Sequence, residues 1–319
     1  MRVVFFGTPS FAAGILEHLV LQSHHQVVGV VSKPDAPRGR GQKVGKTPVH
    51  EVSERLLQNV PYLQPQKAIE IIDVLQGLQA DVFVVVAYGE IIKKAVLDIP
   101  RLGCLNIHAS LLPHLRGAAP IQRALMRGDA KTGITIMKMD VGMDTGPVLL
   151  QKEVKISENT TFLDLEAYLQ EKAKEGIVEA LQLVEENKAY FVPQDSAQAT
   201  IAPKITEKEL CLDPEADIKA LHNIIRALSP RPGVFFHILV RGKPVRLKVL
   251  ASLDMGRMFL ADQPRFRAHP DGLVLVNSSG SLLVTKLQLE GKSPMDSSSF
   301  LRGYPADCLI PMLRDNSTI

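Results

Sequence analysis

Two short stretches of this 319-residue chain hold an amide, an imidazole and a carboxylate: Cys104 to Pro120 reads CLNIHASLLPHLRGAAP, and Met139 to Gly146 reads MDVGMDTG. Asn106, His108 and Asp144 are the groups needed to polarise a carbonyl and move a proton. Asn106 and His108 stand two residues apart, so on a strand both side chains leave the same face. The pair interrupts an apolar run, and a polar interruption of a buried strand calls for a reason. Taken singly, His108 is most simply a satisfied core histidine and Asn106 a turn or cap residue. Asp144, like Asp140, is most simply a turn former in a Gly-rich stretch. Together, at one end of one predicted sheet, they form a candidate site.

Other chemistries fit these residues less well. The spacing of His108 and His114 matches neither a helical metal pair nor a usual zinc pattern, and no Cys or Glu completes a set, so no metal is expected. Ser110 lacks the GxSxG surroundings of a nucleophile elbow. Cys104 lies inside an apolar strand and reads as inert packing.

The elements that must position the three groups follow from the apolar pattern. Residues 2–6 (RVVFF), 27–32 (VVGVVS), 81–88 (DVFVVVAY) and 105–107 read as buried strands. Helical patterns fall between them, at 11–20, 47–58, 68–78 and 90–97, and again at 117–128. Such alternation predicts a parallel sheet covered on both faces, with its site at the carboxyl ends of the strands. Gly7-Thr8-Pro9, Tyr88-Gly89 and Asn106 to Ser110 fall there. No GxGxxG follows the first strand, which argues against a dinucleotide. Residues 132–140 and 147–156 predict two more strands joined by the VGMDTG turn. Thr161 and Asp164 resemble a capping box opening a long helix that ends near Asn187. Periodicity fades from Ala189 to Lys204. After a helix at 215–228, short alternating segments predict a small antiparallel barrel. The expected organisation is an α/β chain with a catalytic domain at 1–188, a linker at 189–206 and a β-barrel domain at 207–319.

Composition sets the wider limits. The 45% hydrophobic content suits a protein with a large core. No segment is long and apolar enough to be a signal peptide or a membrane span, so no membrane partner is expected. Three scattered cysteines (Cys104, Cys211, Cys308) read as free thiols of a reducing, cytoplasmic setting. Residues 1–204 carry 22 basic and 22 acidic side chains, and residues 205–319 carry 15 and 12, so the net +3 lies in the C-terminal part. Arg38, Arg40, Lys43 and Lys46 form one acid-free cluster. Lys219, Arg226, Arg231, Arg241, Lys243, Arg246 and Lys248 form another, with Arg246 and Lys248 on one face of a predicted strand. Each is either a solvated face or part of a surface that tracks a polyanion's backbone. The absence of Trp argues against base stacking.

Several segments carry a resemblance. FFGTPSFA (5–12), KPDAPRGRGQK (33–43), NIHASLLPHLRGAAPIQRAL (106–125), GITIMKMDVGMDTGPVL (133–149), AYFVPQDSAQATIAPKITEKE (189–209) and LEGKSPMDSSSFLRGY (289–304) resemble the methionyl-tRNA formyltransferase family. The resemblance implies a Rossmann-like formyltransferase domain followed by an OB-like barrel that binds tRNA. It implies that Asn106, His108 and Asp144 are catalytic and that Ser110, Leu111, Leu112 and Pro113 border a folate. The formyl donor would be 10-formyltetrahydrofolate, with no metal. The acceptor would be the amino group of methionyl initiator tRNA, its acceptor arm contacted by Arg40; Arg38 and Lys43 of the same loop, and Arg246 and Lys248 of the second basic cluster, are the further residues expected to bind the tRNA. A monomer is expected. One departure is Ser229-Pro230-Arg231-Pro232-Gly233, where members often carry an aromatic between the prolines.

The implied chemistry is simple. A peptide α-amino group titrates at roughly 7.7–8.0, and esterification lowers it, so the acceptor needs no strong base. Asn106 and a protonated His108 would stabilise the oxyanion, where losing one donor costs roughly 3–4 kcal/mol. Asp144 would keep His108 charged and take the amine proton. Two other readings remain: a formyltransferase acting on a small amine such as an amino sugar, and a non-catalytic RNA-binding module.

Overall fold

A computed structural model of the chain describes residues 1–38 and 43–313. It divides into two compact units that interleave in sequence. The first comprises Met1–Pro120, Lys131–Lys155 and Glu166–Ala202; the second comprises Ile121–Ala130, Ile156–Leu165 and the chain from Pro203 on.

The elements run in order as β1 (Arg2–Gly7), α1 (Ser10–Gln22), β2 (Gln26–Val31), β3 (Ala36–Arg38), β4 (Lys43–Gly45), α2 (Pro48–Leu56), β5 (Tyr62–Leu63), α3 (Ile72–Gly77), β6 (Val82–Val86), α4 (Lys94–Leu97), β7 (Cys104–His108), α5 (Pro120–Arg127), β8 (Lys131–Lys138), β9 (Val148–Lys155) and α6 (Phe162–Glu185). Seven of these strands form one sheet in the order β5-β2-β1-β6-β7-β8-β9. Its first five strands are parallel. β6 is buried along its whole length and β1 and β2 after their first residues, which is why they read as continuous apolar runs. Phe5, Phe6 and Phe83 are fully buried there.

The sheet departs from the expected parallel pattern at one edge. β8 runs antiparallel to β7, and β9 antiparallel to β8. A nine-residue loop can reverse a chain, whereas a parallel return needs a crossover of a dozen residues or more. The stretch between β8 and β9 allows only the first.

Local signals set several helix starts. Thr47 caps α2 by accepting the His50 backbone N–H, with Pro48 in the first helical position. The Thr161–Asp164 pair forms the reciprocal cap read from the sequence: Asp164 accepts from the backbone and hydroxyl of Thr161 at 3.0 and 2.6 Å. The expected helix at 68–78 is a 3-10 turn at Ala68–Ile71 followed by the short α3.

The second unit holds α7 (Ile218–Leu228), β10 (Val234–Val240), β11 (Lys243–Asp254), β12 (Arg265–His269), β13 (Gly272–Val276), β14 (Ser281–Leu289), β15 (Met295–Asp296), α8 (Ser297–Gly303) and β16 (Leu309–Pro311). Its strands are antiparallel in the order β12-β13-β14-β11-β10-β16, with β15 added beside β14. β12 and β16, the two ends of this path, approach one another, so the sheet nearly closes into a barrel. Among the described residues no helix is long and apolar enough to cross a membrane.

Candidate active site

β7 carries Asn106 and His108 to the carboxyl end of the first sheet. Its neighbours are β6 and β8, with Asn106 facing Val85 and Met137 and His108 facing Thr135 in register. Asn106 is partly exposed, and its carboxamide has no hydrogen-bond partner among the described residues. His108 is buried, only 6% exposed. Its Nε2 lies 2.9 Å from the Leu115 carbonyl oxygen. A carbonyl only accepts, so Nε2 carries a proton. Nδ1 then faces the Asp144 carboxylate, 3.6 Å from Oδ2. The structure therefore brings together the three groups that the sequence placed in two separate stretches, and it specifies which imidazole nitrogen is directed at the acid.

Asp144 reaches this position through its backbone. Its φ is +55°, a region that Asp enters more readily than most residues. Its Oδ2 accepts the Gly117 backbone N–H at 2.8 Å. Gly117 itself has φ +120°, and a Cβ there would lie 2.8 Å from the Ala202 carbonyl oxygen. Asp140, the rival carboxylate, is exposed and holds its own turn: Oδ1 accepts the Gly142 N–H at 2.9 Å and the Thr145 hydroxyl at 2.7 Å.

Ser110 to Pro113 leave β7 as a tightly bonded loop. Ser110 is fully buried and donates its hydroxyl to the His114 carbonyl at 2.6 Å. The Leu112–Pro113 peptide is cis. Leu111 packs over Gly133 of β8, where only glycine fits, since a Cβ there would lie 2.3 Å from the Lys152 backbone carbonyl oxygen and 2.5 Å from a Leu111 methyl. Thr135 gathers the loop. Its hydroxyl donates to the Ser110 carbonyl at 2.6 Å and accepts the Leu112 N–H at 3.0 Å. Gln151 on β9 donates to both the Leu112 carbonyl and the Thr135 hydroxyl.

Arg40 is outside the described residues. Arg38 and Lys43 are paired by backbone across the β3–β4 ladder. Arg246 and Lys248 are both exposed on β11, one residue apart from each other across the buried Leu247, as the alternation predicted. The Arg246 guanidinium lies over the Phe235 ring at 5.0 Å. Cys104 is buried and donates to the Leu97 carbonyl, and burial pushes its thiol up to about 12, so it is inert at neutral pH. The donor cluster spaced to hold a cation among the described residues is His24, His25 and Glu185, which includes neither His108 nor His114.

Comparison with known proteins adds a decisive observation. A family model for formyl transferases matches residues 1–181, and one for the formyl transferase C-terminal domain matches residues 204–305. Methionyl-tRNA formyltransferase of Thermotoga maritima is 41% identical over 299 residues, spanning 92% of this chain and 93% of its own. That of Alcanivorax borkumensis is 42% identical over 309 residues, spanning 96% and 92%. The chain belongs to the methionyl-tRNA formyltransferase family. A solved N-formyltransferase of Helicobacter canadensis, in complex with folinic acid and dTDP-3-aminofucose, shares the fold at a TM-score of 0.66 and 15% identity, over 89% of this chain and 98% of its own.

In this member of the methionyl-tRNA formyltransferase family, the segment read as a linker is bonded into the site. Val192 bridges Val148, and Ile201 bridges Arg116. Thr200 accepts the Leu115 N–H through its hydroxyl at 2.8 Å. Gln194 accepts from the Arg116 guanidinium and donates to the carbonyls of Asp144 and Gly146. Thr135, Gln151, Gln194 and Thr200 were all missed from the sequence. A buried Thr on a strand was the only available signal, and it is also what ordinary β-propensity produces.

Proposed function

We propose that this protein transfers a formyl group from 10-formyltetrahydrofolate to the amino group of methionyl initiator tRNA. The observation that carries the reading is the contact between His108 Nδ1 and Asp144 Oδ2, with Asn106 two residues earlier on the same strand and without a side-chain partner among the described residues, in a chain that matches the family along nearly its whole length.

Each residue's part follows from its hydrogen bonds. Asn106 has donors without a partner among the described residues and serves the oxyanion that develops as the amine adds to the formyl carbon. His108 has Nε2 committed to Leu115, so Nδ1 is the nitrogen through which it acts. Asp144, fixed by Gly117 N–H, faces that nitrogen and accepts the proton released by the amine, directly or through His108; the adduct then collapses with cleavage of the formyl–N10 bond, and the proton passes to N10, leaving tetrahydrofolate and the formylated amine. The Ser110 to Pro113 loop borders the folate, and its rigidity lowers the entropy lost on binding. Arg38, Arg40, Lys43, Arg246 and Lys248 are the candidates for tRNA phosphates. On this reading the catalytic domain is 1–188, the connecting segment 189–206 and the tRNA-binding barrel 207–319.

The test is a choice of acceptor. The protein is incubated with formyl donor and either methionyl initiator tRNA or amino-sugar nucleotides. Formylation of the tRNA alone is expected. Formylation of the sugar nucleotide in its place would support the small-amine reading, and formylation of neither would leave an RNA-binding role.

A further inference from the structure

The Asp144 turn is held by a residue outside it. Gln194 sends its Nε2 to two backbone carbonyls of the turn, Asp144 O at 2.8 Å and Gly146 O at 2.7 Å. Its Oε1 accepts from Arg116 Nε at 3.1 Å and Nη2 at 2.8 Å. Arg116 is 7% exposed, and no carboxylate pairs with it among the described residues. A buried guanidinium without a carboxylate polarises whatever acceptor it meets, and here that acceptor is the Gln194 amide. The arrangement has one orientation: a flipped amide would set its NH2 against the guanidinium and its oxygen against two carbonyls. The carbonyl so held belongs to the residue whose backbone is in the left-handed region, the conformation that aims the carboxylate at His108.

We propose that Gln194 is a positioning residue for Asp144: Arg116 orients its carboxamide, which clamps the Asp144 and Gly146 carbonyls and so keeps the carboxylate beside His108 Nδ1. The proposal rests on the catalytic reading of Asp144 given above. It also gives the connecting segment a role in the chemistry, because the clamp comes from chain that the sequence marks as linker.

The decisive variant is Gln194→Glu. It preserves size and the acceptor for Arg116 but presents an oxygen to the two carbonyls in place of a donor. Gln194→Met, which has neither donor nor acceptor, is the second variant, and Gln198→Glu controls for added charge on an exposed part of the same segment. Formyl transfer to methionyl-tRNA is measured with both substrates varied. For Gln194→Glu and Gln194→Met, kcat is expected to fall about 10- to 100-fold, the scale of a catalytic group displaced by an ångström. KM for each substrate is expected to change by less than about twofold.

A second readout needs no turnover. The Gly117 N–H bonds to Asp144 Oδ2, so its proton resonance in 15N-glycine-labelled protein reports the carboxylate's position. It is expected to shift in both Gln194 variants and not in Gln198→Glu. Normal kcat, an unmoved Gly117 resonance, or KM rising as much as kcat falls would each overturn the proposal. Asp144→Asn, assayed alongside, separates the two levels. If it transfers formyl normally, the catalytic reading fails and the clamp with it. If it is inactive while the Gln194 variants are normal, the clamp alone fails.

Discussion

Replacing Asp144 by Asn tests the site with the least disturbance of its shape. The side chains are isosteric, and the Asn oxygen can still accept the Gly117 N–H that Asp144 accepts at 2.8 Å. What disappears is the charge and the ability to take a proton. An imidazolium formed at His108 during proton transfer would face that charge from 3.6 Å. Coulomb's law gives an attraction of about 5 kcal/mol at an effective dielectric near 20, suited to a partly buried pair. At about 1.4 kcal/mol per decade that sets a ceiling between three and four powers of ten on the rate. Loss of a general base independently costs about 10²–10⁴-fold. Both routes place the loss in kcat at roughly two to four decades. The assay is single-turnover formyl transfer, quenched rapidly, with folate and methionyl-tRNA saturating so that binding is removed from the comparison. Asp140→Asn is run in parallel, because Asp140 is exposed and, among the described residues, its side chain bonds only within its own turn. A rate for Asp144→Asn within about threefold of the unmodified protein, or equal losses in the two variants, would refute the assignment.

Four further outcomes follow from particular contacts. Thr135→Val keeps volume but leaves the buried Leu112 N–H unpaired, so a loss of about 1–3 kcal/mol is expected. Melting followed by circular dichroism should drop by several degrees, and an unchanged midpoint would count against Thr135 as the loop's anchor. Gly146→Ala would set a Cβ 1.8 Å from the Lys138 carbonyl oxygen, so the Asp144 turn must move and formyl transfer should collapse; normal transfer would show that the turn tolerates the shift. The hydrogen bond and charge of Arg123 hold the Glu209 carboxyl down to about 2, below its ordinary value of 4.5. A depressed carboxyl stabilises the fold above its unfolded value, and that contribution is lost as pH falls from about 4.5 through 2. Urea midpoints across that range should fall less steeply in Arg123→Met than in the unmodified protein, and identical slopes would remove the pair from acid stability. Arg40→Ala should weaken use of methionyl-tRNA and reduce the log–log salt slope by roughly one while sparing folate; an unchanged slope would exclude a phosphate contact.

How much of the site was legible depended on how locally each group is determined. Asn106 and His108 stood out because two polar residues of the same parity break an apolar strand, and strand parity is a property of sequence. Asp140's turn position and the family resemblance favoured Asp144 over it, although both occupy the same Gly-rich stretch. Geometry separates them: one has a left-handed backbone and faces His108, and the other bonds to Gly142 and Thr145. The antiparallel pairing of β8 with β7 was hidden because alternation and burial do not encode strand direction, whereas that of β9 with β8 follows from the nine-residue turn between them.

The sequence by itself marked Asn106, His108 and Asp144 as a candidate site, and it determined the alternation of buried strands with helices, the Thr161–Asp164 cap, the antiparallel second unit and the exposed pair on β11. These are written in short-range periods, in capping chemistry and in motifs a few residues long. Tertiary structure alone decided which nitrogen of His108 faces Asp144, that Thr135 and Gln151 brace the loop after β7, and that Gln194 and Arg116 hold the acid's turn. Those contacts join residues 16 to 78 positions apart. No local pattern marks such a pair, because each partner is an ordinary polar residue until the fold brings it within hydrogen-bonding distance of the other.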